Sequence, residues 1–328
     1  MRYVEFGNTG IRVSEVCLGT MTFGKEADEA ASIAIMQRSL DAGINFFDTA
    51  DIYNKGLTEE IIGRWLIGPI RSDVVLASKV HFPTGPGPND YGSSRRHIIL
   101  GVEQSLKRLQ TEWLDILYLH HWDEHTAIEE SLAAITSLQE QGKVLYGGVS
   151  NFSAWQTMKA IGVARANGYA QVTCIQPMYN LVKRQAEVEI LPLALSEGLA
   201  VCPYSPIAAG LLTGKYLRGE GGRIKEHPMY AERYKREEYS EIAQRFVDYA
   251  QSHGYGASGL ATRWVIDHPA VTSAIIGARN LEQLGQALAC ADIRLTPEER
   301  AGITALSIDP PLATDREPTS IAMDLLKK

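Results

Sequence analysis

Apolar residues recur along this chain in two alternating rhythms. Short apolar runs such as VVLASKV and LDILYLHH are separated by longer stretches whose apolar positions return at helical spacing. The first rhythm predicts buried strands and the second amphipathic helices. Strands are predicted at 15–19, 44–48, 74–79, 114–120, 144–149, 172–176, 199–204 and 272–276. Helices are predicted near 28–42, 58–66, 94–109, 127–141, 153–167, 186–197, 237–267 and 280–289, with a further one near 296–307. Residues 2–13 read as a hairpin turning at Asn8-Thr9-Gly10.

Such alternation implies parallel strands joined by right-handed crossovers. Eight units favour an α/β fold of the closed (β/α)8 TIM-barrel type, with the strands' C-terminal ends on one face. The hairpin, residues 1–14, would cap the opposite mouth. No low-complexity linker divides the chain, so 1–328 reads as one domain, with a polar tail at 308–328. The stretch 205–236 breaks the beat. From Ala208 to Arg236 it is glycine-rich and charged, which predicts a functional lid or a disordered segment rather than a packed one.

Composition narrows the classes. The 328 residues, 45% hydrophobic and 22% charged, are ordinary for a globular chain. A formal charge of −7 offers a polyphosphate backbone no broad basic surface, so nucleic acid is not an expected partner. Cys17, Cys174, Cys202 and Cys290 form no CxxC pair, and three lie in or beside strand-like runs, as reduced buried thiols do. The N-terminus carries Arg2, Glu5, Asn8 and Arg12 rather than a signal-peptide core, and no apolar run approaches the roughly 20 residues of a bilayer span. A cytoplasmic protein without a membrane partner is expected.

The chemistry gathers at the strand ends. Side chains alternate along a strand, so Phe46 shares a face with Asp48, Val75 and Ala77 with Lys79, and Ile116 and Tyr118 with His120. Turned inward, these faces bring an acid, an amine and an imidazole to three adjacent strand tops, and Tyr53 reaches them from the next loop. Lys79 would favour the phenolate of Tyr53 and lower its pKa. Asp48 would hold Lys79 charged and His120 would orient a substrate oxygen. The set suits proton donation to a carbonyl while a cofactor delivers hydride. Singly, each has a plainer role: Asp48 a cap, Lys79 a solvated residue, His120 a hydrogen-bonded core histidine.

Two motifs point elsewhere and are set aside. HHWDEH at 120–125 places His120 and His121 on opposite strand faces, which separates them as metal ligands, and no metal is expected. GYGASG at 254–259 matches a dinucleotide fingerprint, but a helical pattern precedes it where a strand is required, so Gly254 reads as that helix's cap and Ser258 as lying near the start of the next.

With these residues in place, the chain resembles the aldo-keto reductase superfamily, nearest the branch with bacterial reductases and potassium-channel β subunits. GINFFDTADIY, ASKV, LDILYLHHWD, GVSNF, IQPMYN, YSPIAAGLLTGKY and IIGARNLEQ carry the resemblance. It implies NADPH as cofactor and Asp48, Tyr53, Lys79 and His120 as a catalytic tetrad. By resemblance, Thr20, Met21 and Asp48 line the cofactor; Ser150, Asn151 and Gln176 hold the nicotinamide carboxamide; Tyr204 stacks under the ring. Ser205, Pro206, Ile207, Ala208, Gly210 and Leu211 would follow the pyrophosphate, with Lys215 and Arg223 as phosphate contacts. Gly277 and Arg279 at a helix start suit a 2′-phosphate, favouring NADP over NAD. Gln283 would touch the adenine, whereas Ala287 stands where the family usually has Asn.

Met21, Phe23, Phe82 and Trp122 are the expected substrate pocket, suited to an aliphatic or aromatic carbonyl compound. Two other functions share the barrel: a cofactor-binding sensor with little turnover, and a Schiff-base lyase with Lys79 as nucleophile.

Overall fold

The computed structural model describes residues 1–314; of the predicted tail, 315–328 lie outside the described residues. The chain opens with an antiparallel hairpin, β1 (Tyr3–Glu5) and β2 (Arg12–Ser14), paired Tyr3 to Ser14. Eight parallel strands follow: β3 (Val16–Gly19), β4 (Phe46–Asp48), β5 (Val75–Val80), β6 (Leu114–Leu119), β7 (Val144–Ser150), β8 (Val172–Gln176), β9 (Ala200–Val201) and β10 (Ala274–Ile276). Their order is β10-β3-β4-β5-β6-β7-β8-β9. The ring closes between the last pair, where Thr272 N donates to Val201 O, Ile275 N donates to Pro203 O, and Tyr204 bridges Ile275. This is a (β/α)8 barrel.

Strand parity divides the core in two. Cys17, Phe46, Ala77, Ile116, Tyr118, Cys174, Ala200, Cys202 and Ile275 point into the barrel. Their neighbours, among them Leu18, Phe47, Leu76, Leu117 and Ile175, pack outward against the helices. Phe6 of the hairpin enters the N-terminal mouth and meets Phe46 edge-on, ring centroids 5.7 Å apart. Gly148 in β7 makes room for the filling: a Cβ there would stand 2.9 Å from the Tyr118 ring. All four cysteines are buried and free.

Helices α1 (Glu29–Asp41), α2 (Leu57–Trp65), α3 (Ile70–Asp73), α4 (Arg95–Leu109), α5 (Ile128–Glu140), α6 (Ala154–Asn167) and α7 (Ile190–Glu197) follow the first strands, with local chemistry setting their ends. In α1 the Asp28 carboxylate accepts from Ala31 N. In α4 Ser94 accepts from His97 N. A capping box of Ser153 and Gln156 starts α6. The helical stretch 237–267 is two helices, α10 (Glu237–Ser252) and α11 (Ala257–Ile266), separated where Gly254 adopts φ +75°, so GYGASG is the helix–helix corner that a cap at Gly254 implies. Two expectations need correction. The strand predicted at 199–204 is cut to Ala200–Val201, because Pro203 has no N–H for the ladder. Lastly, 208–236 packs: a 3-10 turn at Ala208–Thr213 and short helices α8 (Arg223–Glu226) and α9 (Pro228–Arg233) bury Leu211, Leu212, Tyr230 and Tyr234. Its apolar residues were outvoted in the sequence by the glycines between them.

Candidate active site

The barrel's C-terminal mouth collects four polar side chains. Asp48 ends β4, Lys79 is the penultimate residue of β5, and His120 follows β6 directly. Lys79 Nζ donates to Asp48 Oδ1 at 2.5 Å, to Thr49 O at 2.7 Å and to Tyr53 Oη at 3.1 Å. Tyr53 opens a 3-10 turn after β4, and its ring meets the His120 ring at 6.1 Å and 78°. The three strands and the turn thus bring together all four predicted residues. Asp48, Lys79 and His120 are buried, while Tyr53 is half-buried and open to the mouth.

Burial and charge set the protonation states. Burial alone would drive the Lys79 proton off, but Asp48 and the Tyr53 oxygen outweigh it and raise the ammonium above its ordinary range. A lysine nucleophile must shed that proton, so the lyase chemistry finds no support here. Tyr53 corrects the expectation from sequence. Burial raises its phenol above 10, and Lys79, pulling the other way, does not overcome the loss of water. His120 is pushed well below 6.5 by burial and then by Lys79, and its Nδ1 is buried without a hydrogen-bond partner among the described residues. The imidazole is therefore neutral.

Around this centre the other strand tops interlock. Gln176 Nε2 donates to Asp48 Oδ2 at 2.8 Å, and Ser150 Oγ donates to Gln176 O at 3.0 Å. Asn151 Nδ2 donates to His120 O at 2.9 Å, and Tyr204 Oη donates to Asn151 Oδ1 at 2.7 Å. Thr20 Oγ1 donates to Asp48 O at 2.9 Å. These bonds orient each side chain through a second one. Past Tyr204 the backbone is contorted, with positive φ at Ser205, Ala208 and Ala209 and at Gly210. Pro206, Ala208 and Leu211 are buried there, and Ile207 is half-buried, so this run can offer a ligand mainly backbone.

A cationic group lies beyond it. Lys215 is held below its ordinary pKa by burial, then by the charges of Arg279 and Arg223 against those of Glu226 and Glu220, so both arginines lie within its electrostatic reach. Arg223 also faces Glu26, Nε to Oε1 3.6 Å, across from the loop after β3. Gln283 Oε1 accepts from Arg279 N at 3.1 Å, and Gly277 is exposed beside them. Ala287 is buried on the core side of its helix, α12 (Leu281–Leu288).

Comparison with known sequences agrees with this geometry. The sequence model of the Aldo/keto reductase family matches residues 15–308. The chain belongs to the aldo/keto reductase family. An uncharacterized oxidoreductase, YrpG, of Bacillus subtilis is 40% identical over 309 residues, 91% of this chain and 93% of that protein. A probable voltage-gated potassium channel subunit beta of Oryza sativa is 36% identical, covering 96% and 99%. A putative aryl-alcohol dehydrogenase of Schizosaccharomyces pombe is 32% identical, covering 90% and 93%. The protein is thus an oxidoreductase of a family that uses NAD(P)H on small carbonyl compounds. Among the described residues no helix is long and apolar enough to cross a membrane.

In this aldo/keto reductase the predicted substrate residues separate. Phe82 packs edge-on to His120, centroids 4.8 Å apart, and Trp122 is half-buried next to Phe152. Met21 is 36% exposed. Phe23 does not line the mouth: it is fully buried in the outer core, and its carbonyl accepts from Thr58 Oγ1. Strand parity gave no guidance in that loop. Asp123 of HHWDEH organises turns, accepting from Ser93 N, Thr126 Oγ1 and His125 N. A surface concavity of about 510 Å³, lined by Lys55, Glu60, Arg64 and Lys107 among others, holds none of the tetrad. Sequence reasoning passed over Asp51, a buried carboxylate with no side-chain hydrogen-bond partner among the described residues, and Trp155 on α6. A signal existed for both: Asp51 lies in FDTADIY, and Trp155 follows the strand top GVSNF.

Proposed function

We propose that this aldo/keto reductase reduces aldehydes or ketones to alcohols at the expense of NADPH, with Tyr53 as general acid. The observation that carries the reading is one buried ammonium, Lys79, bonded at once to Asp48 and to the Tyr53 hydroxyl. The cofactor's fit rests on the crowding of Lys215, Arg223 and Arg279, whose mutual repulsion a polyphosphate would relieve. Arg279, planar and permanently charged, suits a 2′-phosphate and so favours NADPH over NADH. Ser150, Asn151 and Gln176 would hold the carboxamide. Gln176 Oε1 accepts no hydrogen bond from the described residues and is free for an amide N–H. Tyr204, tied to Asn151, would support the ring. When bound, the cofactor supplies the hydride.

The chain's own residues manage the proton. With its pKa raised, Tyr53 keeps its hydrogen at neutral pH and presents it to the carbonyl oxygen. As that oxygen gains charge, the O–H bond passes from phenol to product. Lys79, held charged by Asp48, stabilises the phenolate left behind. Neutral His120 fixes the oxygen by a hydrogen bond without competing for the proton. The name of the yeast relative, an alcohol dehydrogenase, fits the same alcohol–carbonyl interconversion.

Steady-state oxidation of NADPH and NADH with 4-nitrobenzaldehyde tests this. Tyr53→Phe is expected to lower kcat by about 10²–10⁴-fold with unchanged thermal stability, and NADPH to be the better donor. The rice relative's name supports a second reading, a cofactor-binding regulatory protein with little turnover. Tight NADPH binding with wild-type turnover no higher than that of Tyr53→Phe would establish it instead.

A further inference from the structure

Trp155, the second residue of α6, is 61% exposed. Its backbone is pinned by the capping box, in which Ser153 N donates to Gln156 Oε1 at 2.8 Å and Gln156 N to Ser153 Oγ at 3.4 Å. Its ring is not solitary. It stands 5.5 Å from the Trp122 ring at 63°, and Trp122 meets Phe152 edge-on at 5.3 Å. Both supporting residues are rooted in the reacting centre. Trp122 comes two residues after His120, and Phe152 follows Asn151, whose amide bonds the His120 carbonyl. From the other side Phe82 packs on the His120 ring. Aromatic rings thus lie both against the His120 imidazole and on the chain leaving it, and the outer group ends in a rigidly mounted, largely hydrated indole.

Grouped aromatic surface left in water marks a binding site rather than a random apolar residue. Rings arranged edge-to-face leave further faces and edges whose charge pattern suits another aromatic ring better than an alkyl chain. Lys159 reaches this group, Nζ 5.8 Å from the Trp122 ring, and favours a neutral or acidic guest over a cationic one.

We propose that Trp155 and Trp122 form a distal subsite selecting aryl carbonyl compounds that carry a second aromatic ring, neutral or acidic. This rests on the reductase reading above. The carbonyl-bearing ring lies beside Phe82 at the tetrad, and the second ring lies on the indoles.

The test compares NADPH-dependent reduction of benzaldehyde and biphenyl-4-carbaldehyde by the wild type, Trp155→Ala and Trp155→Phe. In Trp155→Ala the KM for the biphenyl aldehyde should rise about tenfold, the size of one deleted aromatic contact, with kcat changing less. Trp155→Phe should restore most of the loss, and the benzaldehyde KM should move far less. Equal shifts for the two aldehydes, or no shift, overturn the subsite. Calorimetric titration of the same variants with biphenyl-4-carboxylate reads it without turnover. If the wild type reduces no aldehyde, the reductase reading fails while the titration still decides the subsite. Sedimentation showing that Trp155→Ala abolishes an oligomer, with both KM values unchanged, would assign the indoles to a contact between copies and overturn the proposal.

Discussion

Each end of this barrel buries an ion pair, and the two pairs have different surroundings. At the N-terminal end Glu15 accepts from Arg263, Nη1 to Oε2 3.1 Å, and faces Arg2 as well. Nearby, Phe6, Val13 and Phe46 fill the interior. At the C-terminal end Asp48 and Lys79 border a phenol and an imidazole, and burial displaces the pKa of both. Among the described residues, six of the seven non-glycine residues with positive φ, Asn54, Lys55, Asn151, Ser205, Ala208 and Ala209, follow strands at this end. Only Gln110, at the C-cap of α4, does not. Closing the barrel uses one mouth for packing, and this allows the other to hold strained backbone and displaced protons.

Breaking the upper pair should have the largest effect. Lys79→Met leaves the buried Asp48 without its cation and is expected to cost about 3–5 kcal/mol of stability, read by urea unfolding, together with turnover. The double variant Asp48→Asn/Lys79→Met should recover much of the stability and none of the activity. If the single variant unfolds like the wild type, the upper pair is no more critical than a surface one.

Asp51 sharpens the comparison through pH. It is buried two residues before Tyr53, and burial, followed by the nearby Glu59, raises its carboxyl to about 7. Arg108, Lys79 and the Ile52 N–H pull the other way and do not prevail. The folded state therefore binds a proton that the unfolded chain releases near 4. Stability from this group is complete below that pH, falls as pH rises towards 7, and is level above it. Asp51→Asn keeps the neutral shape. The difference in unfolding free energy between variant and wild type should grow by on the order of 3 kcal/mol between pH 4 and 7. A difference independent of pH would mean that Asp51 is charged throughout.

The smallest effect is expected in the packed interior. Gly148→Ala forces a methyl group against the Tyr118 ring and should cost about 1–3 kcal/mol, with kcat unchanged in the folded fraction. A loss of kcat at full stability would show that the interior is coupled to the mouth.

Much of this was legible beforehand because strand period and helix period are local. The alternation of Phe46 with Asp48 and of Ala77 with Lys79 was enough to put acid and amine on one face, and adjacent strands did the rest. The packed stretch 208–236 was not legible, since Leu212, Tyr230 and Tyr234 gain burial only from the helices they meet. Phe23 was equally opaque, since no period says whether an apolar loop residue points inward or outward; the place of Trp155 after GVSNF was visible, but not that its indole stays in water beside Trp122.

By itself, then, the sequence determined the eightfold alternation, the faces of the strands and the four residues that meet at their tops, because those follow from backbone geometry and nearest-neighbour pairing. Only the tertiary structure decided the protonation of that group. Whether Tyr53 gains more from Lys79 than it loses with its water depends on how completely the surrounding chain excludes solvent, and that is a property of the closed barrel rather than of any segment.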